Sequence, residues 1–114
     1  MAITQLYSGT HAIDTTEWSL TTDSAGPDAD TTEGVFQTFL NVSDMVAGDE
    51  LQIRVYEKCR SGDTQRIIFQ ANLVGVQSEP IFVLPSLILM HGWDVTLDAI
   101  AGTITVLWSI RQVA

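Results

Sequence analysis

Residues 54–66 hold most of the basic side chains in this sequence and its only thiol. The stretch reads R-V-Y-E-K-C-R-S-G-D-T-Q-R and contains four of the five basic residues and the single cysteine, Cys59. A thiolate nucleophile needs a neighbouring base, and a phosphate-binding loop needs a glycine-rich turn between a strand and a helix. The only histidines, His11 and His91, are far from Cys59 in sequence, and the stretch has one glycine. Neither chemistry is expected, and Cys59 is predicted to point inward as a small apolar side chain.

Two other groups of polar residues have the composition of a site but not the spacing. In M-H-G-W-D, His91 and Asp94 have opposite strand parity, so they face each other only if a bulge at Gly92 intervenes. One imidazole and one carboxylate also fall short of a zinc site. The acidic loop 23–33, D-S-A-G-P-D-A-D-T-T-E, offers oxygens to calcium without the EF-hand spacing, and a solvated loop is the default expectation. We therefore expect no catalytic residue, metal site, cofactor or enzymatic activity.

The elements that must position these residues are short β-rich runs punctuated by Gly, Asp, Asn, Ser and Pro. This pattern predicts one domain over 1–114, all-β, an antiparallel β-sandwich of about eight short strands. The candidate strands are Leu6–Ile13, Glu17–Thr22, Val35–Val42, Leu51–Arg60, Thr64–Val76, Ile81–Leu84, Leu87–Met90, Trp93–Ala99 and Thr103–Gln112. One helical turn is expected within 43–49, capped by Ser43 and closed by Gly48.

Hydrophobic alternation predicts two hairpins with defined register, because a slip of one residue would expose the core face. The first has the loop Ser61-Gly62-Asp63 and pairs Leu51 with Leu73, Ile53 with Ala71 and Val55 with Phe69. The second has the loop Ala101-Gly102 and pairs Trp93 with Ile110, Val95 with Trp108, Leu97 with Val106 and Ala99 with Ile104. The opposite face of the second hairpin is mostly polar, so one wet face and one core face are expected.

The first hairpin register gathers basic side chains on the outer face of the sheet. The predicted partner-binding patch comprises Arg54, Tyr56, Lys58, Arg60 and Arg66, with Arg66 directly opposite Lys58. Like charges that face each other are destabilising unless a negative group lies nearby. Two interpretations follow: the patch docks an acidic partner surface, or Asp63, Glu57 and the N-terminal acids of the same chain neutralise it. Docking is the prediction, because Arg and Tyr are enriched at interfaces.

Overall charge bounds the class of partner. The formal net charge of −9 argues against binding to nucleic acid or to an anionic membrane. Residues 1–50 contain no Lys or Arg but nine acids, which indicates either complementary surfaces or selection for solubility. No apolar run approaches the ~20 residues of a membrane span. The N-terminal stretch lacks a signal-peptide pattern and a lone cysteine forms no intrachain disulfide, so a cytosolic protein, or one released by lysis, is expected.

Four stretches carry a family resemblance: A-I-T-Q-L-Y-S-G-T, Y-E-K-C-R-S-G-D-T-Q-R, H-G-W-D-V-T-L and W-S-I-R-Q-V-A. In these, and in its layout over the full length, the chain resembles small β-sandwich virion proteins of tailed double-stranded DNA bacteriophages that act as capsid cement or decoration proteins. The resemblance implies a jelly-roll-like sandwich, assembled in the host cytoplasm, that sits on the outer capsid surface of the virion. It also implies a homo-oligomer, a dimer or trimer, that bridges neighbouring major capsid proteins.

Two alternatives remain beside the cement role. A phage tail, head-fibre or receptor-binding component is the rival within the virion. A carbohydrate-binding β-sandwich module is the rival from another class, and it predicts Trp18, Trp93 or Tyr56 exposed beside polar groups. The cement role predicts buried tryptophans and the basic patch at a protein contact.

Overall fold

The computed structural model describes residues 2–113, which form two antiparallel sheets. The strands are β1 (Ile3–Ile13), β2 (Trp18–Ser19), β3 (Ser24–Ala25), β4 (Gly34–Asn41), β5 (Glu50–Glu57), β6 (Arg66–Val74), β7 (Ile81–Val83), β8 (Leu87–Leu89), β9 (Asp94–Ala101) and β10 (Ile104–Val113). One sheet has the order β1-β10-β4-β7, with β8 also paired to β4, and is called the β10 sheet. The other has the order β3-β2-β9-β5-β6 and is called the β9 sheet. The predicted all-β antiparallel sandwich is confirmed.

The strand order is that of a jelly roll. Strands from the first half of the chain pair in reverse order with strands from the second half: β1 with β10, β2 with β9, β4 with β7 and β8, and β5 with β6. These strand pairs are joined into two sheets because β10 also pairs with β4, and β9 also pairs with β5. This winding gives each sheet strands from both halves of the chain, and the two sheets enclose a single core.

The strand total exceeds the predicted eight because one edge strand is interrupted. β7 pairs with the C-terminal half of β4, and β8 pairs with its N-terminal half. Between them lies Pro85, which has no N–H to donate to a ladder and is tolerated at a sheet edge. Leu84 still donates its N–H to the Thr38 carbonyl at 3.0 Å, so the chain stays against β4 across the break. β7 and β8 were already separate among the nine candidate strands, so the two-residue β3 is the one strand without a candidate.

The core lies between the two sheets and is built by side chains of one parity from each strand. Its fully buried members include Trp93, Ile13, Leu20, Leu40, Leu51, Ile53, Leu84, Leu89, Leu97, Ile104 and Ile110. Trp93 packs against Phe36 with ring centroids 4.4 Å apart and meets the edge of Tyr7 at 6.4 Å. Its indole N–H donates to the Thr32 carbonyl at 2.8 Å, which satisfies the one polar atom of the ring.

The predicted second hairpin is wrong in its pairing and right in its buried face. β9 pairs with β2 and β5, whereas β10 pairs with β1 and β4, so the two strands belong to opposite sheets. All eight side chains predicted to pair are nevertheless buried: Trp93, Val95, Leu97, Ala99, Ile104, Val106, Trp108 and Ile110. Hydrophobic alternation determines which face of a strand is buried, but it does not determine which strand pairs with it. Two strands that face each other across a core have the same alternation as two strands of a hairpin.

The first hairpin is confirmed in its register up to Val55. Leu51 pairs with Leu73, Ile53 with Ala71 and Val55 with Phe69, as predicted. A bulge then shifts the register by one residue, so Tyr56 pairs with Ile67 and Glu57 with Arg66. The predicted loop of Ser61-Gly62-Asp63 is therefore wrong, because β5 ends at Glu57 and β6 begins at Arg66. The predicted pairing of Arg66 with Lys58 is wrong for the same reason.

β5 ends at Glu57, and the side-chain carboxylate of this residue binds backbone N–H groups. It accepts hydrogen bonds from Lys58 at 2.8 Å, from Met90 at 2.7 Å and from His91 at 3.2 Å. Only 9% of the residue is exposed, so these donors have little access to water. These hydrogen bonds attach the first hairpin, formed by β5 and β6, to the loop that precedes β9.

Glu57→Gln is expected to lower the free energy of unfolding by about 1–3 kcal/mol. The amide NH₂ replaces one acceptor oxygen, and it would face backbone donors that then lose their partner. Urea unfolding monitored by tryptophan fluorescence measures the change. Glu50→Gln is the matched control on the same strand, since Glu50 accepts one exposed hydrogen bond from Asn72. An equal loss of stability in both variants would contradict this role of Glu57.

Two predicted loops differ from expectation. Residues 43–49 form turns without a helix: Met45 donates to the Val42 carbonyl and Asp49 donates to the Val46 carbonyl, each at 3.1 Å. The acidic loop 23–33 is held against the β9 sheet, because Asp94 accepts hydrogen bonds from the Asp28 N–H at 2.8 Å and the Thr21 hydroxyl at 2.9 Å. Burial raises the pKa of the Asp94 carboxyl, against the lowering effect of these hydrogen bonds.

Candidate interaction site

The predicted basic patch is divided by the structure into two parts, and Arg54 and Tyr56 form the first. Both lie on the outer face of β5, where Glu17 covers them. The Glu17 carboxylate accepts hydrogen bonds from the Tyr56 hydroxyl and the Thr96 hydroxyl, each at 2.5 Å. Arg54 Nη1 lies 3.4 Å from Glu17 Oε2 and 3.6 Å from Asp98 Oδ1. One cation is thus surrounded by two carboxylates of its own chain.

This network is electrostatically coupled. Burial raises the pKa of the Tyr56 phenol, and its hydrogen bond to Glu17 raises it further. Burial also raises the pKa of the Asp98 carboxyl, against the lowering effect of Arg54. Burial disfavours the charged form of Arg54, but Asp98 and Glu17 outweigh it and raise the guanidinium pKa. Arg54 therefore has a structural partner set in the isolated chain.

Arg54→Met is expected to destabilise the fold by about 2 kcal/mol, because it leaves Glu17 and Asp98 without a cation between them. Urea unfolding measures the loss. Adding Asp98→Asn to Arg54→Met is expected to recover part of it, since one uncompensated carboxylate is removed. Unchanged stability in Arg54→Met would mean that the guanidinium is free for a partner, as the docking interpretation requires.

The second part consists of Lys58 and Arg60, on the loop that joins β5 and β6, and Arg66, the first residue of β6. Arg60 is 81% exposed and its Nε lies 3.4 Å from Asp63 Oδ2. Lys58 and Arg66 line a surface depression whose apolar wall includes Ile67 and Ile68. Acids of the same chain thus lie beside Arg54 and Arg60, as the second interpretation of the patch required. Partner binding by the five residues stays a prediction.

Cys59 is exposed on this loop, so its predicted inward orientation is wrong. The parity that would have buried it ends with β5 at Glu57. His11 stacks on Trp18 with ring centroids 3.6 Å apart, and the His91 backbone N–H is bound by Glu57. Within residues 2–113, no three His, Cys, Asp or Glu side chains converge as metal ligands would.

The tryptophans separate the cement and carbohydrate-binding interpretations in part. Trp93 is 0% and Trp108 4% exposed, and both indole N–H groups donate to backbone carbonyls. Trp18 is half-buried, stacked on His11, and donates its indole N–H to Asp23 at 3.0 Å. Two of the three tryptophans thus belong to the core, and the third already has an aromatic partner.

A surface that the sequence reading did not single out lies on the outer side of the β10 sheet. The pairing register places Ile3, Val113, Val35 and Ile88 opposite one another across β1, β10, β4 and β8. Ile3 is 67% exposed and Ile88 80% exposed. The four side chains form an unbroken apolar row across the sheet.

A second apolar group lies further along the same strands. Phe39 on β4 pairs with Val83 on β7, and Leu107 on β10 pairs with Asn41, which in turn pairs with Ile81. Val83, Ile81 and Leu107 are each between 42% and 50% exposed. The row and this group together are called the apolar face.

The apolar face is also free of acids. The outward positions of the sheet are Ile3, Gln5, Ser8, Thr10, Ala12, Val35, Gln37, Phe39, Asn41, Ile81, Val83, Ile88, Thr105, Leu107, Ser109, Arg111 and Val113. None of these described positions is Asp or Glu, although the chain has 14 acids. Strand spacing and rise give an area of roughly 450 Å² for Leu107–Val113 and the strands beside it. This area includes Gln5, Gln37, Ser109 and Arg111 between the two apolar groups, and exposed apolar patches on monomers are often functional.

The opposite side of the sandwich differs because its own chain covers it. On the outer face of β9, Asp94 and Thr96 are both 0% exposed. The segment that contains Glu17 and Thr21 supplies their partners. The outer side of β9 is therefore already packed, whereas the apolar face is open.

Comparison with known proteins gives no relative: no family model, no curated protein and no solved structure matches this chain. Across the described part of the chain, no helix has the length and apolar character needed to cross a bilayer.

Proposed function

We propose that this protein is a non-enzymatic virion structural protein, a capsid cement or decoration protein of a tailed double-stranded DNA phage. It binds the outer capsid surface and stabilises contacts between major capsid proteins. The apolar face carries the proposal, because an acidic chain with net charge −9 keeps the outer surface of one sheet free of acids and exposes several large apolar side chains on it. Such a surface is expected to be covered by another protein.

The jelly-roll topology supports the same class by analogy, since this architecture recurs in viral capsid domains and also in lectins. Fold alone does not separate those two uses. The burial of Trp93 and Trp108 favours the structural role, because aromatic side chains that stack on sugars must be exposed.

The mechanism follows from interface area. The apolar face offers roughly half of the ~800 Å² that each partner contributes to a standard interface. A single contact of this size is weak, but an oligomer, a dimer or trimer, that bridges neighbouring capsid proteins binds through several contacts at once. The pressure of the packaged DNA inside the capsid must then break these contacts as well as those between capsid proteins.

Copy number on intact virions of the phage that encodes the protein tests the proposal. A copy number approaching that of the major capsid protein is expected for cement, measured by quantitative mass spectrometry of purified particles. A small fixed number per particle would instead identify a tail, head-fibre or receptor-binding component. Absence from washed particles, combined with binding to a glycan array, would favour the carbohydrate-binding alternative.

A further inference from the structure

Arg111 is the one charged residue among the described outward positions of the apolar face. Its guanidinium carbon lies 3.8 Å from the centroid of the Phe39 ring, and Nε donates to the Ser109 hydroxyl at 3.3 Å. None of the described carboxylates lies within 4.0 Å of the guanidinium. The Phe39 ring and the Ser109 hydroxyl together position the guanidinium, and a positioned guanidinium suits bidentate binding of a carboxylate.

Exposed acids surround the apolar face at its margin. Glu33 borders the depression beside Val35 and Ile88. Asp44 lies at the other end, where it accepts a hydrogen bond from the Thr105 N–H at 2.8 Å. Glu79 lies beside β7, next to Ile81. The face therefore has a cation in its interior and acids on three sides.

A second copy of this chain is a poor occupant of such a face. In an isologous pairing each copy presents the same surface to the other. With the faces centred on each other, the two Arg111 side chains approach and the margins bring acids against acids. A shift that places a marginal acid on Arg111 uncovers part of the apolar rows. Like charges at an interface disfavour that partner.

We propose that the apolar face docks on a different protein that has an apolar centre, a carboxylate opposite Arg111 and basic side chains around the margin. This inference rests on the proposed function, in which that protein is the major capsid protein. Any contact between copies of this chain then uses another surface.

Binding to purified shells of the major capsid protein tests the inference. Arg111→Glu is expected to weaken binding by ~30-fold or more, because it places a carboxylate against a carboxylate in a desolvated contact. Arg111→Lys is expected to lose less, since it keeps the charge but not the planar fork. Glu79→Lys, at the margin, is expected mainly to lower the association rate and to change its salt dependence.

Val76→Glu is the control, because it adds a carboxylate at a side chain that is 70% exposed in the loop after β6, outside both the apolar face and the basic patch. Its binding is expected to equal that of the wild type. Wild-type binding by Arg111→Glu would overturn the inference and leave the cement role standing. Loss in Arg60→Glu, a change within the basic patch, without loss in Arg111→Glu would transfer docking to that patch. No binding by the wild type would overturn the proposed function and the inference with it.

Sedimentation velocity of the isolated protein gives an independent check on the occupant. Wild type and Ile88→Glu are expected to have the same oligomeric state, because the apolar face does not join copies. A wild-type oligomer that Ile88→Glu dissociates would overturn the inference, whatever the shells bind.

Discussion

Ile88→Glu is expected to abolish binding of this protein to capsids while leaving the fold intact. Ile88 lies on β8, is 80% exposed, and belongs to the apolar row with Val35. In the free protein the new carboxylate points into water, so the backbone pairing of β8 with β4 persists. In the complex it must be buried against apolar side chains, which costs about 3 kcal/mol, or a ~100-fold loss of affinity.

The control for this prediction is Val76→Glu. Val76 is 70% exposed in the loop after β6, so the change of charge and of exposed apolar area is nearly the same. Co-sedimentation with capsids measures binding, and urea unfolding verifies that both variants are as stable as the wild type. Equal loss of binding in the two variants would attribute it to the added charge and not to the apolar face.

Trp93→Ala is expected to cost about 3–5 kcal/mol of unfolding free energy, the largest effect of any single substitution considered. The side chain is 0% exposed and contacts Phe36 and Tyr7 from the β10 sheet. Its removal leaves a cavity between the sheets and frees the Thr32 carbonyl that the indole binds. A loss of this size is a large part of the total stability of a small domain.

Two variants separate the contributions of volume and hydrogen bond at this position. Trp93→Phe keeps most of the volume but not the donor to Thr32, so an intermediate loss is expected. Trp18→Ala removes a half-buried tryptophan outside the interior of the core, and a smaller loss is expected. Urea unfolding at constant temperature compares the three. A loss below about 1 kcal/mol in Trp93→Ala would contradict its place in the core.

Hydrophobic alternation predicted the strands well, because burial acts on each strand locally. Each of the nine candidate strands overlaps a strand of the structure, and the face assigned to the core is buried along β5, β9 and β10. The register of β5 with β6 was also predictable as far as Val55, since a hairpin needs only local information.

Neighbours across the sheets were not predictable from the same signal. The segments 93–99 and 103–112 alternate in a way that fits a hairpin, yet they lie in opposite sheets. The bulge that leaves Ile68 of β6 without a partner on β5, and the contact of Glu57 with the distant backbone of Met90 and His91, were also hidden. Cys59 is exposed because it lies in the loop beyond the end of β5, so the strand parity used to predict its orientation does not apply.

The candidate site shows the same limit. The cluster of basic residues predicted Arg54 as part of a partner-binding patch. Its carboxylate partners, Glu17 and Asp98, are both distant in sequence. The apolar face had a usable signal: β4 and β10 place apolar or uncharged side chains at nearly every outward position. That signal becomes visible only when the outward positions of four strands are read together, and this requires the sheet order.

Thiol labelling on the capsid tests most directly whether the apolar face is the contact surface. Cys59→Ser removes the exposed native thiol, and Ile88→Cys or Val76→Cys then introduces a single reporter. Both reporters are expected to react with a maleimide in the free protein. On intact capsids, Ile88→Cys is expected to be protected while Val76→Cys stays reactive. Unchanged reactivity of Ile88→Cys on capsids that carry the protein would contradict the account.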